Sequence, residues 1–240
     1  MCRLFAALAA PGQEEAVRDS LLAFFNGLAE GNHAGWGMAR FEEGRPFLHK
    51  EPVDARLSKT MAVEVAKTGP GVVIGHLRKM SVGAQTWENT HPFAYDGWSF
   101  GHNGTWAGYR DVRDRLPREH RLSLQGNSDS EVLFHYILQN MDLERDEVRG
   151  IRKAVAEIHK DRRPGTTCLN FVLARPERFY ALRYAFINEP KYSLHMRTIN
   201  DGDGPAVVCS EPLDGGAWPL LRNRELAVID ADGMKSYLLD

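Results

Sequence analysis

The chain has 240 residues, 43% apolar and 26% charged, with a formal net charge of −2. That length suits one well-packed domain, and the near-neutral balance gives no electrostatic footprint for a nucleic acid or an anionic membrane. No uninterrupted apolar run approaches the roughly 20 residues of a membrane span, and an N-terminus with Arg3 as its sole early cation does not read as a secretory signal. Three scattered cysteines, Cys2, Cys168 and Cys209, are too few for a disulfide framework or a thiolate metal site, so a reducing cytoplasm is expected.

Residues 3–10 predict a buried strand stopped by Pro11-Gly12. Val17, Leu21, Leu22, Phe24, Phe25 and Leu28 recur at helical spacing and predict a helix over 14–30. Glycine-dense 31–37 predicts a turn, followed by strands at 37–41 and 45–50 joined as a hairpin through Glu42-Glu43-Gly44. A second helix is predicted over 58–68, capped by Ser58 or entered at Lys59, and a strong strand over 72–78. Residues 86–92 predict a loop, and Asp96-Gly97 predicts a hairpin between two β-forming runs.

Residues 106–125, with arginines at 110, 113, 115, 118 and 121, predict exposed helix and loop. Helices follow over about 127–141 and 145–160, then short strands at 166–174, 178–185, 192–199, 205–210, 225–230 and 234–239. Central helices flanked by strands predict an α+β fold with mainly antiparallel sheets, as one domain over 1–240.

Several stretches carry chemistry. Trimming of Met1 would leave Cys2 with a thiol nucleophile and its own α-amine, of reference pKa about 7.7–8.0, as the nearby base. A depressed thiol pKa would help, since the thiolate reacts. Arg78 closes an apolar strand and offers a planar fork suited to a carboxylate. Asn103-Gly104 can aim a side-chain amide and a main-chain N–H at one point, as an oxyanion hole requires. Ser128-Asp129-Ser130-Glu131 opens a helix, with Ser128 or Asp129 as N-cap and Glu131 completing a capping box.

Each has a structural alternative: a strand residue, a surface ion pair, an Asn-Gly turn, a helix cap. Structural support is the expectation for His91, in Asn89-Thr90-His91-Pro92-Phe93. His76, His91 and His102 match no metal-binding spacing, so neither metal nor cofactor is expected.

Taken in order, Met-Cys at the start, G-H-x-R at 75–78, N-x-H-P at 89–92, H-N-G at 102–104 and S-D-S-E at 128–131 resemble the class II glutamine amidotransferases, members of the N-terminal nucleophile hydrolase superfamily. The resemblance spans about residues 2–140. It implies a four-layer αββα sandwich of two antiparallel sheets. It implies that Cys2 attacks the γ-carbonyl of a glutamyl amide to form a γ-glutamyl thioester, with Asn103 and Gly104 stabilising the oxyanion. Arg78 would bind the substrate α-carboxylate and Asp129 its α-ammonium, while Lys79 and Ser81 would line the site.

The length resembles the stand-alone branch of predicted amidotransferases and γ-glutamyl hydrolases, and a small-molecule γ-glutamyl substrate is expected. A glutaminase subunit passing ammonia to a synthase partner is the second reading, and a non-catalytic scaffold the third. Gly35-Trp36-Gly37 and Ser210-Glu211-Pro212-Leu213 are also similar to that branch; either could shape the leaving-group side, and both read as structural turns. Cys168 and Cys209 lie in apolar runs and are expected to be inert.

Overall fold

The structure is a computed structural model described over residues 1–187, 190–198 and 204–239. Its elements in chain order are β1 (Arg3–Ala9), α1 (Glu14–Leu28), β2 (Gly35–Glu42), β3 (Arg45–Glu51), α2 (Met61–Ala66), β4 (Gly71–Arg78), β5 (Phe93–Tyr95) and β6 (Trp98–Gly104). There follow α3 (Tyr109–Arg113), α4 (Arg118–Ser123), α5 (Asp129–Glu144), α6 (Glu147–Lys160), β7 (Leu169–Arg175), β8 (Arg178–Arg183), β9 (His195–Thr198), β10 (Ala206–Cys209), β11 (Glu225–Asp230) and β12 (Gly233–Leu238).

The strands form two six-stranded antiparallel sheets, ordered β3-β2-β4-β1-β10-β9 and β12-β11-β8-β7-β6-β5. Period-two alternation assigns each strand's side chains to two different cores. From β1, Leu4 and Ala6 join Val72, Ile74, Val172, Ala174, Phe179 and Ile229 between the sheets. Phe5, Ala7 and Ala9 point the other way, onto Val17, Leu21, Phe24 and Phe25 of α1. On the second sheet, Phe171, Leu173, Tyr180 and Leu182 face outward onto Phe134, Ile137, Ile151 and Val155 of α5 and α6. The result is helix, sheet, sheet, helix: an α+β sandwich.

The hairpin at Asp96-Gly97 is a two-residue turn with both residues at positive φ (47° and 76°), the conformation that matches strand twist. The predicted turn at 31–37 is shorter than expected: β2 already starts at Gly35. Gly37 is required inside the strand, because a Cβ there would stand 2.2 Å from the His91 carbonyl oxygen. The predicted helix over 58–68 contracts to α2, preceded by a 3-10 turn at Ala55–Leu57.

Residues 106–125 are not merely exposed, since Trp106, Tyr109, Leu116 and His120 are buried against the α5 layer. Of the strand predicted over 192–199, residues 195–198 form β9, and Ile199 lies outside the described residues, as does Asp240 at the end of the predicted domain. No helix among the described residues is long and apolar enough to cross a membrane.

Candidate active site

The same alternation builds the site. Cys2 is two residues before Leu4, Arg78 is four after Ile74, and Asn103 is two after Gly101, whose Cβ would contact Leu4 and Ile74. All three positions therefore fall on the inner faces, at one end of the sandwich. Antiparallel register sets Arg3 opposite Leu77, which brings Cys2 beside Arg78.

The Cys2 thiol is half-buried. Its Sγ accepts the Lys79 main-chain N–H at 3.3 Å and donates to the Lys79 carbonyl at 3.3 Å. Burial pushes the thiol pKa up, and the Lys79 N–H, the N-terminal ammonium and Arg78 offset only part of that shift. The depressed thiol pKa that the chemistry would favour is thus absent while Met1 is in place. Desolvation outweighs the nearby positive charge.

Arg78 is 3% exposed, and its fork is already engaged: Nη1 donates to the Ala84 carbonyl at 2.9 Å and Nη2 to the Val82 carbonyl at 3.1 Å. The guanidinium therefore shapes the loop that follows it as well as facing the site. Burial lowers its pKa, and the charges of Cys2 and Asp129 oppose that shift. Lys79 reaches the thiol through its main chain while its side chain is exposed, and Ser81 lies on the exposed part of the same loop.

Asn103 is buried and its Nδ2 has no hydrogen-bond partner. A buried donor left unpaired costs about 1–3 kcal/mol, so its retention at the site calls for a purpose. Gly104 permits close approach of another chain segment; a Cβ there would sit 2.0 Å from the Cys168 carbonyl oxygen. The Cys168 thiol in turn donates to the Asn103 carbonyl at 2.9 Å, fixing this strand end. Burial pushes both Cys168 and Cys209 up to about 12, which leaves them inert as nucleophiles.

Ser128 is the N-cap of α5 and accepts the Glu131 N–H at 3.2 Å. The expected capping box is only half formed, since the Glu131 carboxylate instead accepts the Gln125 and Gly126 N–H groups at 2.8 Å. Asp129, freed from capping, is 2% exposed and takes the Trp106 N–H at 2.7 Å. Sequence reasoning did not single out Trp106, nor Ser130, whose Oγ meets His102 Nδ1 at 2.8 Å and ties β6 to the first turn of α5. Ser130 was visible inside S-D-S-E; Trp106 serves through its backbone, which leaves no trace in a motif.

The three histidines do meet. His76 and His91 stack with ring centroids 4.1 Å apart, and His76 Nε2 donates to the His102 carbonyl at 3.0 Å. Burial pushes His76 down to about 3 and His91 well below its usual value, so both are neutral rings supporting the sheet ends. Among the described residues no cluster of three or more His, Cys, Asp or Glu is arranged to hold a metal ion.

Two antiparallel sheets lie between helices, and Cys2 stands immediately ahead of the first strand at the sheet ends. A family model for class II glutamine amidotransferases matches residues 1–189, and the chain belongs to that family. It is similar to an uncharacterised protein of Methanocaldococcus jannaschii, 31% identical over an alignment of 125 residues that covers 49% of this chain and 33% of that protein. It is also similar to the probable glutamine amidotransferase DUG3 of Saccharomyces cerevisiae, 28% identical over 121 residues, 46% of this chain and 34% of that one. The chain thus spans about a third of either relative's length. A glutamine aminotransferase class-II domain protein from Silicibacter pomeroyi shares the fold, with a TM-score of 0.75, 24% identity and 99% of each chain covered.

Proposed function

We propose that this chain, once Met1 has been removed, hydrolyses a γ-glutamyl amide, either glutamine or a γ-glutamyl-capped metabolite. The observation that carries the reading is the unpaired, buried Asn103 amide, on the inner face opposite that of Cys2 and at the same sandwich end. Hydrogen-bond donors held in advance where negative charge will develop are what acyl transfer demands. In this mechanism the freed α-amine takes the thiol proton, and Sγ attacks the γ-carbonyl carbon. Asn103 Nδ2 and Gly104 N–H receive the oxyanion.

The C–N bond then breaks, the amine departs with the proton, and water cleaves the thioester to glutamate. Arg78 and Asp129 bind the α-carboxylate and α-ammonium and so present the γ-amide to the thiol, with Lys79 and Ser81 lining the entrance. The chemistry needs a free thiol, which fits a reducing cytoplasm.

The test is intact mass before and after treatment with a glutamine-analogue electrophile, together with glutamate release. Loss of Met1, one covalent adduct at Cys2 and no turnover by folded Cys2→Ala protein are expected. Normal glutamate release by the Cys2→Ala variant would sink the mechanism. Ammonia release that rises on adding a separate synthase would make the chain a glutaminase subunit.

A further inference from the structure

The amine that leaves the substrate must take a proton from the group that accepted the thiol proton, here the α-nitrogen of Cys2. General acids act within hydrogen-bond reach, so the leaving group lies against that nitrogen. In the unprocessed chain the space next to the same nitrogen is filled by Met1. The seat of Met1 therefore marks where a leaving group goes.

That seat has two distinct halves. The Met1 side chain packs against an apolar cluster of Cys168, Ala185 and Tyr192, with Ile187 beside it. Its carbonyl oxygen accepts a hydrogen bond from Arg3 Nη1 at 3.2 Å. Arg3 is anchored by an ion pair between Nη2 and Glu211, while its buried Nε has no partner. Excision of Met1 therefore removes one of the two carbonyl acceptors of Nη1, which keeps the Cys2 carbonyl at 3.3 Å, beside the unpaired Nε donor. The charges of Lys79 and Lys191 also reach this spot, where they and Arg3 disfavour a further cation. An apolar seat next to a guanidinium that has lost an oxygen matches an α-amino acid, with its side chain in the seat and its carboxylate on the fork.

We infer that the vacated Met1 seat is a leaving-group subsite, and that the substrate is a γ-glutamyl dipeptide with an apolar C-terminal residue in preference to glutamine. This rests on the γ-glutamyl hydrolase reading above. The bonds exchanged are unchanged: S–C forms, C–N breaks, and the departing amino acid carries away the proton held on the Cys2 amine. Arg3 binds the product amino acid's carboxylate throughout, and the Ser210–Leu213 stretch contributes through Glu211 and through Ser210, whose Oγ accepts the Leu4 N–H at 2.8 Å.

The experiment compares kcat/KM on processed protein for γ-glutamylmethionine, γ-glutamyl-n-butylamide, which lacks the carboxylate, and glutamine. The dipeptide should exceed glutamine by at least about tenfold, the scale on which apolar pockets discriminate, with the butylamide between them. Ala185→Phe, which fills the seat, should pull the dipeptide-to-glutamine ratio towards one, and Arg3→Gln should bring the dipeptide down to the butylamide. Glutamine turned over as fast as the dipeptide, or a ratio untouched by both variants, overturns the subsite while γ-glutamyl hydrolysis stands. No glutamate from any of the three, with Met1 shown by mass to be gone, overturns both readings.

Discussion

Asn89 and Asn127 hold each other across the site: the Asn127 main-chain N–H donates to Asn89 Oδ1, and Asn89 Nδ2 donates to Asn127 Oδ1, both at 2.9 Å. Asn89 belongs to the loop whose carbonyls engage Arg78, and Asn127 lies just ahead of the N-cap of the helix that begins with Asp129. The pair thus ties together the two segments that carry Arg78 and Asp129, the groups proposed to bind the ends of the substrate. Gly126 is part of the same fit, since a Cβ there would sit 2.4 Å from Asn89 Oδ1.

Asn89→Ala should accordingly raise KM for γ-glutamyl substrates several-fold while leaving alkylation of Cys2 by a small neutral reagent unchanged. The stability cost is about 1–3 kcal/mol, from stranding the Asn127 groups. Steady-state kinetics and a denaturant titration read the two effects separately, and equal loss of kcat and alkylation rate would refute a positioning role.

Asn103→Ala removes the unpaired donor itself. A fall in kcat of about a hundred- to a thousandfold is expected, with a far smaller change in KM. Because the amide has no partner in the resting protein, the same substitution should leave the melting temperature level or slightly raised. A marked drop in stability would assign the side chain to the fold instead.

Gly150, in α6, offers a case where two magnitudes compete. Glycine to alanine in a helix gains about 1 kcal/mol from propensity. Here, though, the new Cβ would meet main-chain atoms of Met141 at 2.3 Å and 2.4 Å, and backbone cannot rotate away as a side chain can. Overpacking of about 1–3 kcal/mol should win, so Gly150→Ala lowers the denaturation midpoint. A higher midpoint would show that α5 and α6 separate easily.

The buried histidines predict an acid-sensitive fold. Their pKa values are depressed by burial, to about 3 for His76 and about 4 for His135. In the unfolded chain they titrate near 6.5. The unfolded state therefore binds more protons as pH falls from about 6.5, and stability declines at up to roughly 1.4 kcal/mol per pH unit for each such histidine. The contribution is fully present above about 6.5 and fades towards the folded values. Denaturant midpoints measured between pH 7 and pH 4 check the slope; His76→Gln should flatten it.

Strand alternation was the most legible part of the chain. RLFAALA and GVVIGHLR announce buried strands, and the Asp96-Gly97 pair announces its turn. Motif order singles out Cys2, Arg78 and Asn103, and alternation turns all three towards the space between the two sheets. What the sequence concealed depends on contacts between distant segments. Trp106 serves Asp129 through its backbone N–H. Glu131 leaves the capping box because its carboxylate accepts the Gln125 and Gly126 N–H groups instead. His120, in an arginine-rich stretch that reads as solvated, is drawn inside by His135, with their Nδ1 atoms 3.0 Å apart. Charge density along the chain says nothing about such a partner fifteen residues away.

The odd-and-even placement of the site residues has an evolutionary consequence. Cys2 and Arg78 stand an even number of positions from the core side chains Leu4 and Ile74, and Asn103 from Gly101, which faces the same core. A single-residue insertion or deletion within that interval would keep the strand but turn the functional group to the helix-covered face. Descendants of this chain can therefore change strand length here only in steps of two. Length variation should collect in the loops beyond Arg78 and Gly104, where no such counting applies.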